Sequence, residues 1–328
     1  MLMLTLGTLN AGINWLALTE FLSAWEWPRG VKPPHREFMD APINDEGMFK
    51  AQGSACLNLY PLLRLFLTVY VMPILGGRMQ ECVDSMLNLC GVLDMLLRTR
   101  ECTCTPDELE KAIMDHLRGF KRAYARLLKY FIPKFHMSAH LSEYYRRFGI
   151  LLALFTHERK HRTVKKYLSD RKYTGSYERG QTEHLTIEHL HGLRICLLRA
   201  GLISPSDAEP AVEASVRALW PDAEHVKVSQ VATVKSRTFT AGDVILFRDG
   251  SNFGVGELWF HAQADDHEPF SCISTWAEDL PMRDKYTRTC RQVDAPQFLP
   301  SEDLRASLVR RDAADSIVQV VIPAEFWS

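Results

Sequence analysis

Hydrophobic residues recur at helical spacing through most of the chain and alternate with polar ones near its end. In 79–97 the apolar positions follow each other at intervals of three and four, which one buried helical stripe requires. An apolar run over 55–75 predicts a second helix, and two glycines, Gly76 and Gly77, separate the two. The first fifty residues, rich in proline and poor in periodic positions, are predicted to be irregular.

The best-marked helix begins after Thr105. This residue suits the N-cap, Pro106 suits the first helical position, and Glu108 completes a capping box. Apolar residues then recur at helical spacing as far as Phe131, so this helix needs a packing partner. Pro133 should end it, because proline cannot continue the helical hydrogen-bond ladder. Three later helices are predicted: one to Gly149, one over 151–168, and one ending just before Gly201.

The pattern changes after Pro221. The segments "HVKVSQVATV", "FSCISTW" and "SIVQVVIP" have the character of strands, and "GDVILFRDGSNFGVGELWFHAQ" indicates two strands around a Gly-Ser turn. About five short strands predict a small antiparallel barrel or a strongly bent sheet. The expected fold is α+β and multidomain, with a mostly α-helical N-terminal two-thirds followed by a small antiparallel β-barrel-like domain. The expected boundaries are an irregular segment 1–50, a helical domain 51–222 and a β-rich domain 226–328.

The distribution of charge along the chain also indicates a binding partner. The chain has 328 residues, 46% of them hydrophobic and 24% charged, as expected of a folded protein with about two domains. The net charge is −1, but 118–173 contains fifteen Lys and Arg against three acids, a local charge of +12. A solvated face is the simpler interpretation of a short basic run, but this excess persists over 56 residues. It favours contact with DNA phosphates.

Cysteine usage and the apolar segments predict the compartment. None of the eight cysteines forms a CxxC pair, and most lie among apolar residues, which is typical of reduced thiols. The N-terminal apolar stretch has no basic region before it, so no secretory signal is expected. Asn58, Pro61, Arg64 and Pro73 interrupt 55–75 and favour a buried helix over a membrane span. We therefore expect an intracellular protein with reduced thiols and without a membrane partner.

The stretch "FTHERKH" contains His157, Glu158 and His161 at the HExxH spacing of zinc peptidases. Histidines four apart on a helix can share a zinc ion, and the glutamate can polarise the bound water. A third ligand at the peptidase spacing is absent, because Val164 and Tyr167 occupy the Gly and His positions. Five basic residues surround the string, and a divalent cation gains nothing from cationic neighbours. The zinc peptidase is therefore the less favoured alternative.

Basic side chains around this string form the predicted DNA-binding set, which can neutralise several phosphates. Its members are Lys134, Arg146, Arg147, Arg159, Lys160, Arg162, Lys165 and Lys166. Glu158 among them has two interpretations: a surface salt bridge, or a metal ligand in a nuclease-like site where carboxylates hold divalent ions. Residue chemistry alone favours the salt bridge.

Three stretches, in this order, resemble one protein family. They are "FKAQGSACLNLYPLLRLFL", "LLKYFIPKFHMSAHL" and "FTHERKHRTVKKYL". They resemble the C-terminal half of eukaryotic cut-and-paste transposases of the CACTA (En/Spm-like) and KDZ-like type. The family's Pro-Lys-Phe-His stretch with a second His four residues on is matched by 133–136 and His140. Its aromatic residue before Glu-Arg and the basic helix that follows are matched by Phe155, Glu158, Arg159 and Lys165. The resemblance covers about 50–200.

The resemblance implies a catalytic core of DDE type, a ribonuclease-H-like sheet whose Asp-Asp-Glu set binds two Mg²⁺ or Mn²⁺ ions. Glu158 is then the candidate third acid, and His136 and His140 are further candidate metal ligands. No pair of strand-borne aspartates is found in 1–130. We therefore expect the helical insertion and C-terminal tail of such a transposase, which binds DNA without self-sufficient catalysis. A separate ribonuclease-H-like domain or a homo-oligomer would complete it.

Two other functions stay open. The chain could be a chromatin or nucleic-acid reader that uses its β-barrel, with Phe247, Trp259, Phe260 and Trp276 as an aromatic cage for methylated lysine. Strand alternation favours the core for these aromatics instead. The other alternative is an interaction protein with a purely structural role.

Overall fold

Helices dominate the first half of the chain and strands the second. The structure is a computed structural model that describes residues 15–33, 53–99, 102–124, 137–149, 151, 183, 186–187, 200–235, 237–265, 267–280, 286–314 and 316–326. The described residues contain six α-helices, all but the last of which lie before residue 150. They are α1 Trp15–Ser23, α2 Gly53–Phe66, α3 Arg78–Arg98, α4 Pro106–Ala123, α5 Leu141–Phe148 and α6 Pro210–Arg217.

Helices α1 and α2 share one apolar core. The rings of Phe21 and Phe66 lie with centroids 5.3 Å apart, and Leu18, Leu62 and Leu67 are fully buried beside them. Beyond α2 the chain continues through a π turn and a 3₁₀ turn. In the described part of the chain, Ala55–Ile74 is the segment long and apolar enough to cross a membrane; its mean hydropathy is 1.5, and 56% of it is buried.

The start of α4 is confirmed as the sequence predicts it. The Thr105 hydroxyl accepts a hydrogen bond from the Glu108 backbone N–H, and the Glu108 carboxylate accepts one from the Thr105 N–H at 2.6 Å. These two bonds satisfy donors that the first helical turn leaves free. The α5 helix ends at Gly149, whose φ of +69° is the left-handed conformation that glycine adopts without strain.

A buried ion pair joins α2 to α3. Arg64 and Asp94 are 2% and 4% exposed, and the guanidinium donates to the carboxylate. The Tyr60 hydroxyl donates to the other carboxylate oxygen at 3.1 Å. The Arg64 guanidinium also lies 3.8 Å from the ring centroid of Tyr286, just before the long strand that begins at residue 287. This cluster therefore ties the two helices to the β-rich half.

Twelve strands lie in the described residues, and every pairing between them is antiparallel. They are β1 Gly201–Ile203, β2 Ser206–Asp207, β3 Val226–Ser229, β4 Val231–Val234, β5 Arg237–Thr240, β6 Val244–Asp249, β7 Asn252–Ala264, β8 Phe270–Leu280, β9 Thr287–Pro300, β10 Leu304–Ser307, β11 Val309–Ala314 and β12 Ile317–Val321. Strands β1, β4 and β5 form a small sheet. The larger sheet has the order β10-β6-β7-β8-β9-β12-β11, and β3 joins β7 to β2.

The predicted fold class is wrong in two respects. Strands begin at Gly201, so helices do not fill the N-terminal two-thirds, and the C-terminal half is mostly β. The larger sheet is open, not closed into a barrel. Its order ends at β10 and β11, and in the described residues no ladder joins those two strands. The end strands are consecutive in the chain through Leu308, so the sheet is strongly curved around a core that includes Leu246, Val320 and Leu308 itself.

Physical reasons explain why the hydrophobic pattern did not predict some of the strands. Strand β1 is three residues long, too short for alternation to register. Strand β9 contains Pro296 and Pro300, which normally argue against a paired strand. Its pairing with β8 shifts by two residues next to Thr275 and by one residue next to Glu278. The one-residue shift inverts the order of inward and outward side chains, so a single alternating pattern does not run through the strand.

The helical part packs against one end of the larger sheet. Val321 of β12 lies in the core of α1 and α2. The segment after α1 reaches β11, where Glu26 and Arg310 exchange backbone hydrogen bonds and their side chains pair at 2.6 Å. The final turn, Ala324–Phe326, contacts α3. At Arg310 the edge of β11 is therefore covered by the chain itself, which protects that position from pairing with other molecules.

A buried polar chain runs through the larger sheet. Nε2 of His261 lies 3.2 Å from the carbonyl oxygen of Phe239, so it carries the proton and donates. Nδ1 then accepts from the Ser271 hydroxyl at 2.8 Å, and Ser271 in turn lies 2.7 Å from the hydroxyl of Ser301. Burial lowers the pKa of His261 to about 4, so the imidazole is neutral in the fold.

Candidate anion-binding cleft

A cleft of about 620 Å³ opens where two hairpin tips meet the end of the chain. Its volume lies in the range of about 300–1,000 Å³ that ligand sites occupy. Three parts of the β-rich half line it, together with one residue of the loop before α4. The lining residues are Thr103, Val234, Lys235, Arg237, Arg248, Ser251, Asn252, Phe253, Leu304, Arg305, Glu325 and Phe326.

The hairpin turns place the outer cations of this cleft. Lys235 directly follows β4 and has a φ of +46°, the left-handed conformation that turns the chain into β5. Arg248 precedes the Gly250 turn between β6 and β7, and its Nε donates to the Gly250 carbonyl at 3.3 Å. Both side chains are exposed, and in the described residues neither has a carboxylate partner. They are therefore available to an anion.

The inner cations are held by the protein. Arg237 donates to the backbone carbonyl of Arg305 and to the Glu325 carboxylate at 3.2 Å. Arg305 donates to the carbonyl of Glu302 at 2.7 Å and lies 3.8 Å from an Asp303 oxygen. These contacts fix both guanidinium groups at the base of the cleft.

The charge of the cleft is strongly positive. Its described lining has four cationic side chains and one carboxylate, Glu325, which leaves a formal charge of +3. Thr103, Ser251 and Asn252 add hydroxyl and amide groups that can donate hydrogen bonds. Cations with neutral donors between them bind phosphate oxygens well, because hydrogen bonds to an ionised acceptor are the strong ones.

The sequence-predicted site falls largely outside this cleft. Glu158, His136 and six of the eight predicted DNA-binding cations lie outside the described residues, as do His157 and His161. Those six cations are Lys134, Arg159, Lys160, Arg162, Lys165 and Lys166. Within the described residues, no three His, Cys, Asp or Glu side chains are placed to hold a metal ion.

The two described members of the predicted set have different surroundings. Both lie on α5 and are exposed. Arg146 pairs with Asp107 at 2.7 Å and with Glu110 at 3.0 Å, both on α4. The Arg147 guanidinium lies 5.2 Å from the ring centroid of Phe148. In the described part of the chain it has no carboxylate partner, so Arg147 is the cation of this pair that is free for a ligand.

His140, the remaining described candidate, precedes α5. Its Nδ1 lies 2.9 Å from the Glu143 carboxylate, and both groups are substantially exposed. The contact is an ordinary pair three residues apart along a helix start.

The four aromatic residues considered for a methyl-lysine cage do not come together. Phe247 and Trp276 are buried in two different cores, and Phe260 packs against a third. Trp259 is 43% exposed on the sheet surface. Phe247, Phe260 and Trp276 therefore serve packing in separate cores, and the four residues do not form a shared cage.

The cleft cations could not be found from the sequence. Thr103 and Phe326 lie at opposite ends of the described lining, and the cations between 235 and 305 are scattered singly among acids. The hairpin turn at Gly250 is the one local signal, since it places Arg248 at a tip. Comparisons with protein-family models and with curated proteins found no match to this chain.

Proposed function

We propose that this chain is a DNA-binding protein of transposase origin without self-sufficient catalysis. The observation that carries the DNA-binding part is the cleft, where four cations surround one carboxylate in a cavity of about 620 Å³. A cleft of one sign of charge concentrates ligands of the opposite sign, and nucleic acid is the most highly charged anion that a protein meets.

The sequence supports the same ligand independently. The local charge of +12 over 118–173 supplies further cations for phosphates. The resemblance of 50–200 to transposases supports DNA as the polymer and the nucleus as its place. Strand transfer would then need a separate ribonuclease-H-like domain with Mg²⁺ or Mn²⁺, and a homo-oligomer is the other assembly we consider.

A second candidate is a nucleic-acid reader that uses the β-rich half alone. One observation favours it: the cleft is built almost entirely from strands and turns after residue 233. The two candidates differ in what the basic segment does. Replacing Arg159, Lys160, Arg162, Lys165 and Lys166 by Ala weakens binding under the transposase proposal and leaves it unchanged for the reader.

The test is fluorescence anisotropy of the full chain with a labelled DNA duplex over a range of salt. Contact with about four phosphates gives a slope near −4 in a plot of log affinity against log salt. The double variant Lys235→Gln, Arg248→Gln should weaken binding and flatten that slope by about 2, because two phosphate contacts are lost.

The control is the double variant Lys227→Gln, Arg291→Gln, which changes the net charge equally outside the cleft. It should leave the slope close to that of the unmodified chain. Equal losses in the two double variants would mean that net charge alone sets the affinity. No binding at low salt would remove the proposal.

A further inference from the structure

Helix α5 presents aromatic rings to solvent beside a cation. Tyr144 and Phe148 are 54% and 52% exposed, although large apolar side chains normally lie inside. Their ring planes differ by 11°, and their centroids are 6.4 Å apart. The Arg147 guanidinium lies 5.2 Å from the Phe148 centroid. Tyr144 and Phe148 therefore form, with Arg147 between them in the sequence, one exposed surface, which we call the α5 platform.

The rest of α5 holds this surface in place. Tyr145 is 5% exposed, and its hydroxyl donates to the Cys104 carbonyl at 2.9 Å. Arg146 pairs with Asp107 and Glu110 of α4, as described above. The α5 helix is thus fixed on one side by Tyr145 and Arg146. Tyr144 and Phe148 therefore lie exposed on a helix that is anchored to α4 and the loop before it.

The loop that contributes Thr103 to the basic cleft also anchors α5. Tyr145 is bonded to Cys104, and the preceding residue, Thr103, lines the cleft. The basic excess of 118–173, to which α5 belongs, makes an anionic polymer the favoured occupant.

We propose that the α5 platform binds unpaired nucleotide bases, so that the DNA engaged by this chain is single-stranded where it crosses α5. This inference rests on the proposed DNA binding and adds the form of the DNA. Every base has an aromatic face and stacks on exposed rings, whereas bases in a duplex are already stacked on each other. Arg147 contributes its charge to the phosphate or its plane to a base.

The test compares a labelled oligo-dT with a duplex of the same length on the full chain. Tyr144→Ala, Phe148→Ala and their combination should weaken oligo-dT binding at least about fivefold for each ring, since one stacked base contributes about 1 kcal/mol or more. Duplex binding should change much less. Tyr144→Phe and Phe148→Tyr keep a ring at each position and should bind oligo-dT as tightly as the unmodified chain.

The two arginines give a matched pair for the same assay. Arg147→Ala should weaken oligo-dT binding, while Arg146→Ala should mainly lower the melting temperature, because Arg146 is engaged by α4. Circular dichroism on each variant shows whether it is folded. Oligo-dT that carries 4-thiothymine should crosslink within 144–148.

The outcomes separate the platform from DNA binding itself. If the double aromatic variant binds oligo-dT normally and the cleft variant does not, the platform is wrong and the proposed function stands. If the unmodified chain binds neither DNA, both fail. If the aromatic substitutions change only sedimentation or vesicle binding, the platform is a protein or membrane surface, and the inference is overturned.

Discussion

Asp94→Asn should be among the most destabilising single substitutions in the helical part. The change removes the charge that faces Arg64, while the guanidinium stays 2% exposed between α2, α3 and Tyr286. Leaving one partner of a buried ion pair without its counter-charge costs about 3–5 kcal/mol. Native proteins are stable by only about 5–15 kcal/mol, so a large part of the total would be lost.

The same cluster also predicts how the loss in free energy of unfolding should combine with further substitutions of its members. The Tyr60 hydroxyl donates to the same carboxylate, and burial together with the Asp94 charge raises the pKa of that phenol, which keeps it a donor. The triple variant Tyr60→Phe, Arg64→Met, Asp94→Leu removes the polar groups of the three side chains that these hydrogen bonds join. We expect it to be more stable than Asp94→Asn alone, because an apolar replacement of a buried ion pair is often neutral.

Urea unfolding, followed by tryptophan fluorescence and by circular dichroism, measures both quantities. The control is Asp115→Asn, whose carboxylate, among the residues that the structure describes, forms distant, exposed pairs with Lys111 and Arg118 at 3.9 and 3.7 Å. It should change the free energy of unfolding by less than about 1 kcal/mol. A similarly small effect of Asp94→Asn would refute the reasoning, since it would mean that water reaches Arg64 in solution.

Two further predictions concern protons and charge. His261 has a pKa of about 4 in the fold and 6.5 ordinarily, so the unfolded chain takes up a proton first as the pH falls. The contribution of this residue to the free energy of unfolding is therefore fully present above pH 6.5 and is lost between pH 6.5 and about 4. The whole loss amounts to about 3 kcal/mol. Urea unfolding at pH 7.5 and 5 should show about 2 kcal/mol of this loss in the unmodified chain and in the exposed control His267→Gln, and a much smaller loss in His261→Gln. Glu325→Gln should tighten DNA binding about fivefold, because a carboxylate and a phosphate about 4 Å apart repel each other by about 1 kcal/mol when water screens them. Glu302→Gln lies outside the cleft and should leave the affinity unchanged. Weaker binding in Glu325→Gln would mean that the carboxylate positions Arg237 more than it repels phosphate.

Local signals in the sequence predicted local structure well. The capping box at Thr105 and the glycine at 149 act through atoms a few residues away, and the structure has both. The hairpin at Gly250 was likewise predicted, because the turn and the alternation of its two strands lie in one stretch. Non-local features were not predictable. Strand β9 is stabilised by neighbours on both sides, which offset its prolines, and no pattern within it shows those neighbours.

The candidate site illustrates the same limit. Arg146 and Arg147 are equivalent in the sequence, yet two acids of α4 engage one and leave the other open. The cleft joins residues from Thr103 to Phe326, and only the curved sheet brings them together. A run of basic residues can therefore indicate the kind of ligand, while the particular cations that meet it depend on the tertiary structure.

The contact between the segment after α1 and β11 has a consequence for synthesis. Arg310 follows its partner Glu26 by 284 residues, and Val321 completes the core of α1 and α2 still later. At about 5–20 residues per second, a ribosome needs roughly 15–60 s to make that stretch. Throughout this time the apolar faces of α1 and α2 lack their final cover on the nascent chain. Chaperones that bind exposed apolar segments therefore have a long time to bind the nascent chain. Truncated products that end before β11 should be prone to aggregate, because they keep these apolar faces uncovered.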